Sequence, residues 1–282
     1  MWLSLLLGLL GSSLIALIAF RLHSLSLSGA IAAIGVGSLL YISGSIAWYG
    51  TLIVFFITSS GLSRWRKRDK QQTDNTYEKG SRRDAGQVIA NGGLAAVLSV
   101  GFVVFPHEAW WYAFVGVMGT VTADTWATEV GSLSREYPRS ILSFKRVPHG
   151  TSGGISLLGS AAAATGAGVI GIASVGFMVI DQYVLQTKSS EDLSLMLGTK
   201  VIWIALLAGF LGAMTDSLLG ATVQQMRRCP GCDKEVEHIN HCGVPTIRIR
   251  GWSWMNNDAV NVISSLIGGG IAVIIWFCYY GF

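Results

Sequence analysis

Residues 109–132 read AWWYAFVGVMGTVTADTWATEVGS. The stretch is long enough to cross a bilayer as a helix, which takes about 20 residues, and it is apolar except near its end, where Asp124 and Glu129 stand. A carboxylate in hydrocarbon costs at least about 2.5–3.5 kcal/mol unless it is paired, hydrated or metal-bound, so such residues mark a site. Two more carboxylates lie at the rim of other apolar segments, Asp216 within Thr215-Asp216-Ser217 and Asp258 after Asn256-Asn257.

Outward from this stretch the chain keeps the same character. Eight apolar segments cover 2–20, 28–44, 48–62, 86–105, 109–132, 154–180, 201–224 and 259–280. They predict an all-α polytopic integral membrane bundle of about eight transmembrane helices, a single domain over 1–282. Segment 48–62 is short for a span, so 28–62 reads as a tight helical hairpin or as one span plus a re-entrant piece. The first segment has no basic residue before it and reads as an anchor, not a cleaved signal peptide. Half the residues are apolar, 13% are charged, and 35 glycines stand against five prolines. That composition suits helices packing backbone-close in lipid and argues against a soluble enzyme of ordinary design.

Charge predicts the orientation. Eighteen of the twenty basic residues fall at Arg21 or in segments 63–85, 133–153 and 225–258, leaving only Lys188 and Lys200 for the other side. The positive-inside rule makes the basic side cytoplasmic in a cell membrane, with both termini outside. The carboxylates then lie toward the cytoplasmic ends of their spans, as does Asp84. Basic residues that flank spans, with no recognition module, exclude a nucleic-acid role.

Two segments differ from plain topogenic loops. Residues 82–93 place Arg82, Arg83, Asp84, Gln87 and Asn91 at a helix entrance. Residues 145–156 run from Lys145 and Arg146 into Gly150-Thr151-Ser152-Gly153-Gly154 before a helix. Backbone N–H groups, hydroxyls and a helix N-terminus suit a phosphate there; a merely flexible entry to a membrane helix is the plain alternative. On a continuous helix Asp124 shares a face with Thr128, and Thr125 with Glu129, so Asp124 and Glu129 meet one metal only if the helix unwinds. Otherwise they serve two neighbouring functions. The plain alternative pairs each carboxylate with an arginine, or makes Asp258 a helix cap. Oxygen ligands from several helices suit Mg²⁺, which bridges carboxylates to substrate phosphates.

Five ordered strings carry a resemblance: Arg82-Arg83-Asp84 with Gln87 and Asn91-Gly92-Gly93; Asp124 through Gly131; Gly150 through Gly154; Asp216 through Thr222; and Asn257-Asp258-Ala259-Val260-Asn261. Over residues 5 to 275 the chain resembles the multi-pass membrane family that contains plant phytyl-phosphate kinase, an animal transmembrane protein and many prokaryotic members. The resemblance implies transfer of a phosphoryl group from a nucleoside triphosphate to an isoprenyl monophosphate. On that reading Asp124, Glu129, Asp216 and Asp258 hold one or two Mg²⁺ ions with Asn257 assisting. Lys145, Arg146, Asn91 and the 150–154 loop hold nucleotide and phosphates, and Arg82 or Arg83 neutralises charge on the transferred group. Two rival classes remain, a cation- or proton-coupled transporter and a CTP-dependent lipid nucleotidyltransferase.

The 225–258 loop has a pattern of its own. Cys229-Pro230-Gly231-Cys232 precedes His238, His241 and Cys242, which permits a tetrahedral zinc knuckle of three cysteines and one histidine, His241 being the choice. Free thiols and redox use are the alternatives. Cys278, alone in the last span, reads as a packing residue.

Overall fold

A computed structural model describes residues 2–67, 82–184 and 195–280. The basic residues Arg68, Lys70, Lys79 and Lys188 counted above lie outside them. Eight helices are found among the described residues: α1 (Trp2–Arg21), α2 (Leu27–Ser43), α3 (Ile46–Lys67), α4 (Ala85–Val104), α5 (Ala109–Gly131), α6 (Leu157–Val184), α7 (Leu195–Thr222) and α8 (Asn257–Tyr280). Six of them are long and apolar enough to cross a membrane, and α2 is a shorter apolar helix.

The 109–132 stretch is the hub. Helix α5 packs against α3, α4, α6, α7 and α8, and Tyr112 through Ala123 are buried without interruption. A helix buried on all sides needs no polar face, which is why α5 lacks an amphipathic pattern. The outer helices show the converse: Leu3, Leu6, Leu10, Leu14 and Leu17 of α1 are exposed. Such an apolar exterior belongs in lipid. One end of the core is aromatic, with Trp48 tilted against Phe114 at 4.5 Å and edge-on to Trp111 at 5.3 Å between ring centres.

Small residues set the spacing around α5. A Cβ on Gly119 would come within 2.9 Å of the Ala205 carbonyl oxygen and 3.3 Å of Gly209 on α7. A Cβ on Gly212 of α7 or Gly268 of α8 would collide with the Thr120 side chain, itself fully buried. Backbones that approach this closely gain dispersion contacts that lipid cannot match. Helix α5 runs parallel to α7 and antiparallel to α8, since Gly116 meets Gly268 and Ala272 while Thr120 meets Gly212 and Gly268. The next turn of α5 brings Asp124 to the same seam.

Three boundaries differ from the expectation. Segment 48–62 is no re-entrant piece: α3 continues from Ile46 to Lys67, because the serines that dilute its hydropathy turn inward, Ser59 fully buried and Ser63 bonded to Glu129. With α2 it forms the helical hairpin, turning at Gly44. Helix α6 starts at Leu157 rather than 154, because Gly154–Ile155 (β2) pairs antiparallel with Arg139–Ser140 (β1). Helix α7 ends at Thr222, and the chain enters a small β layer in which Met226–Arg228 (β3) pairs with Glu235–Val236 (β4) and Ile247–Arg250 (β7). A separate hairpin of Asn240–His241 (β5) and Val244–Pro245 (β6) lies between β4 and β7 in the chain.

Candidate active site

All the sequence-derived candidates lie at one end of the bundle. The C-terminal end of α5 meets the start of α6, where Gly131 approaches Gly159. Ser63, near the end of α3, donates to Glu129 Oε1 at 2.7 Å. Arg64 bonds the Leu22 carbonyl just beyond α1, and Arg82 donates through Nε to the Leu25 carbonyl at 2.9 Å. Basic residues and carboxylates therefore share an end, as the charge pattern required.

The centre of the site is a pair. Asp124 of α5 and Asp216 of α7 bring their carboxyl groups within hydrogen-bonding reach of each other. The glycine crossings at Gly119, Gly209 and Gly212 make this possible, because an aspartate side chain is too short to bridge helices at ordinary spacing. Ser264 of α8 donates to Asp216 Oδ2 at 3.0 Å. The only sequence signal for Ser264 is a Ser264-Ser265 pair within an apolar span, which does not by itself point to Asp216. Asn257 lies seven residues before Ser264 and hence on the same helix face, two turns nearer the end.

Asp258 is not the cap of α8. That role falls to Asn256, whose Oδ1 accepts from the Ala259 amide at 3.0 Å, leaving Asp258 half-buried in the first turn with its Oδ1 covered. Asp84, by contrast, is a cap. It accepts from the Gln87 amide at 2.9 Å while Gln87 Oε1 accepts from the Asp84 amide, a reciprocal capping box.

Glu129 stands apart from the aspartate pair. Helix α5 is continuous to Gly131, so Glu129 points to the α3–α4 side, where Ser63 and the Arg83 guanidinium attend it. Burial lowers Arg83 to about 10 and the Glu129 charge pulls it back up, so Arg83 stays cationic at neutral pH. The structure thus separates two polar centres, Asp124 with Asp216 and Glu129 with Arg83. Arg82 turns away from both, with its guanidinium 5.2 Å from the Phe20 ring centre.

Arg83 also borders an apolar cleft between α1, α2, α3 and α4. Ala16, Ala33, Val36 and Phe56 are among its walls, and Arg83, Gln87 and Asn91 give it a polar margin. Asn91 holds the Gln87 carbonyl through Nδ2 at 2.9 Å.

The glycine-rich loop is not the N-terminus of α6, where Ser156 accepts from the Gly159 amide at 3.1 Å. It folds back onto the end of α7 instead. Gly150 and Gly153 have φ of +82° and +80°, and a Cβ on Gly153 would strike Ala221. Both requirements demand glycine. Ser152 donates to Gln224 Oε1 at 2.6 Å, and Thr151 to the Pro148 carbonyl at 2.8 Å. Gly154 is in β2, and Lys145 and Arg146 are exposed on the preceding hairpin. Gln224, which ties the loop to α7 and then to Glu237 at 2.8 Å, was not picked out in the sequence.

Among the loop cysteines, Cys229 is buried, and hydrogen bonding to His241 lowers its thiol to about 7. Cys278 is exposed near the end of α8 rather than packed in the core.

Comparison with known proteins agrees with this architecture. The chain is 32% identical over 273 residues to Protein PGR of Arabidopsis thaliana, covering 91% of this chain and 90% of that one. It is 26% identical over 277 residues to Protein VTE6, chloroplastic, of the same plant, covering 96% and 69%. It is 26% identical over 227 residues to an uncharacterized membrane protein of Methanocaldococcus jannaschii, covering 80% and 74%. No solved structure matches. The family model described as integral membrane protein DUF92 matches residues 10–269, and the chain belongs to that family.

Proposed function

We propose that the chain is a membrane-embedded kinase that transfers a phosphoryl group from a nucleoside triphosphate to an isoprenyl monophosphate, giving the diphosphate. The observation that carries this reading is the juxtaposition of Asp124 and Asp216 on facing helices, at the end of the bundle that also holds Arg83 and the 139–155 hairpin. Two facing carboxylates with a serine hydroxyl beside one of them form an oxygen-only donor set, which suits Mg²⁺ rather than a soft metal. Asp124 and Asp216 would hold the ion, while Asn257 and Asp258 stand in the first turn of α8, two turns from Ser264. When bound, Mg²⁺ supplies charge neutralisation for the triphosphate.

The chain's own groups supply the rest. A phosphate oxygen of the acceptor is already nucleophilic, so no general base is needed; it attacks the γ-phosphorus as the bond to the leaving nucleoside diphosphate breaks. Arg83 gives a fixed positive charge near the acceptor, and Lys145 and Arg146 give mobile charges on the exposed hairpin beside the 150–154 loop. The α1–α4 cleft offers apolar walls for a prenyl chain and a polar margin for its phosphate, an amphipathic shape that a transporter of small cations does not need. The family resemblance supports the same substrate class. The distribution of basic residues supports an orientation with this face on the cytoplasmic side of the cell membrane, where nucleotide is available, and both termini outside.

The test is direct. Purified protein in lipid nanodiscs receives Mg²⁺, a γ-labelled nucleoside triphosphate and a panel of prenyl monophosphates. Label appearing in a prenyl diphosphate is the expected result. Transfer of the nucleotide portion to lipid would replace the kinase with a nucleotidyltransferase. Cation movement in proteoliposomes without any transfer would replace it with a transporter.

A further inference from the structure

We propose that Cys229, Cys232, His241 and Cys242 bind one zinc ion, and that this ion holds the 225–256 loop in the form that fixes Gln224 against Ser152. The inference is independent of the kinase reading.

The ligand atoms of these four residues all lie within 4.8 Å of one another. His241 Nδ1 is 3.4 Å from Cys232 Sγ and 3.3 Å from Cys242 Sγ. Tetrahedral zinc with bonds of about 2.0–2.3 Å places its ligands roughly 3.5–3.8 Å apart, so the cluster needs only small adjustments. Three sulfurs and one imidazole suit zinc better than Mg²⁺, which takes oxygen. All four cysteines are free thiols.

Local folding explains how the four residues meet. The first turn, Cys229-Pro230-Gly231-Cys232, closes with the Asp233 amide donating to the Cys229 carbonyl at 2.9 Å and the Cys229 amide to the Lys234 carbonyl at 3.0 Å. Asp233 takes the left-handed conformation at φ +56° that lets the chain leave the turn. The second turn joins β5 to β6, and its central residues Cys242 and Gly243 both have positive φ, +53° and +75°. That is the geometry of a two-residue hairpin turn matched to strand twist. The turns touch at Gly231, where a Cβ would lie 3.6 Å from Cys242 Cβ. His238 stacks beside His241 at 6.4 Å between ring centres and falls outside the cluster, so the structure selects between the two histidines.

The loop needs a staple. Its strands are two to four residues long, and its buried apolar residues are few, Met226, Cys229, Val236 and Met255. A unit this small rarely holds a fixed shape without a metal or disulfide. Yet it has a position to keep. Glu237, between β4 and His241, accepts from Gln224 Nε2 at 2.8 Å, and Gln224 Oε1 accepts from Ser152 at 2.6 Å. The Gln225 amide bonds the Met255 carbonyl and the Trp252 amide the Val223 carbonyl, so loop and helix end move as one.

The full-length protein, purified without chelators from zinc-supplemented cells, should carry close to one zinc per chain by elemental analysis. Titration with an organomercurial should release it from the wild-type protein into a chromogenic indicator. Cys229→Ser combined with Cys232→Ser should lack it, and Cys278→Ser should keep it. If the double variant does not accumulate, wild-type release with thiol counting reads the same site. Hydrogen exchange should then rise across 225–250 and across 150–154 while α5 stays protected. Zinc-free wild-type protein, or an oxidised Cys229–Cys232 pair in its place, would overturn the proposal. Zinc retained by the double variant would place the ion elsewhere and overturn it too. Release of zinc without faster exchange at 150–154 would overturn the coupling to Ser152.

Discussion

Asp216→Asn should make the metal-free protein more stable while removing its response to Mg²⁺. Asp124 and Asp216 lie within hydrogen-bonding reach, and unit charges about 4 Å apart repel by about 4 kcal/mol at an effective dielectric of about 20. A proton shared across the pair relieves part of this, so a gain of about 2 kcal/mol is expected for the variant. Asparagine keeps the shape, accepts from Ser264 as Asp216 does at 3.0 Å, and adds an amide N–H for Asp124. At roughly 2–4 °C per kcal/mol for a protein of this size, Tm should rise by about 4–8 °C. Wild-type protein should gain about 2.7 kcal/mol with Mg²⁺ at a hundred times its Kd, and the variant close to nothing. Thermal unfolding in detergent, followed by tryptophan fluorescence with EDTA or with Mg²⁺, reads both quantities without any substrate. A variant less stable than wild type in EDTA, or one that keeps the full Mg²⁺ shift, would refute the assignment of this pair as a metal site.

Asp216→Asn and Asp124→Asn should each lower kcat for prenyl phosphate by about 10²-fold or more, with smaller changes in KM; wild-type rates in both would end the kinase assignment. Gly212→Ala should destabilise by about 1–3 kcal/mol because its Cβ meets buried Thr120, and Thr120→Ala in the same chain should recover much of that loss in an unfolding assay. Ala33→Phe, which fills the α1–α4 cleft, should raise KM for long prenyl phosphates far more than for short ones; equal effects on both would argue against a tail site. Cysteine labelling with an impermeant reagent from outside the cell should reach His107→Cys and miss Ser143→Cys, and the reverse would invert the orientation.

Much of the architecture was legible in the order of residues. Apolar runs of spanning length fixed the helix count, because backbone groups in lipid must be satisfied within each helix. The split of basic residues assigned one end to the site, and Asp124, Asp216 and Asp258 stood out because ionisable groups in such segments are costly. The conflict between Asp124 and Glu129 was also readable, since helical spacing alone sets them on different faces. Pairing was not. That Asp124 faces Asp216, while Glu129 bonds Ser63 in the field of Arg83, depends on how closely the helices around α5 cross. That distance is set by Gly119, Gly209, Gly212 and Gly268 against Thr120, residues whose meaning appears only when helices far apart in sequence are laid together. Likewise the 150–154 glycines read as a helix entrance, yet their partner is Gln224. Local propensity sees neighbours within a turn or two, whereas the site is made by contacts between segments, and only packing decides those.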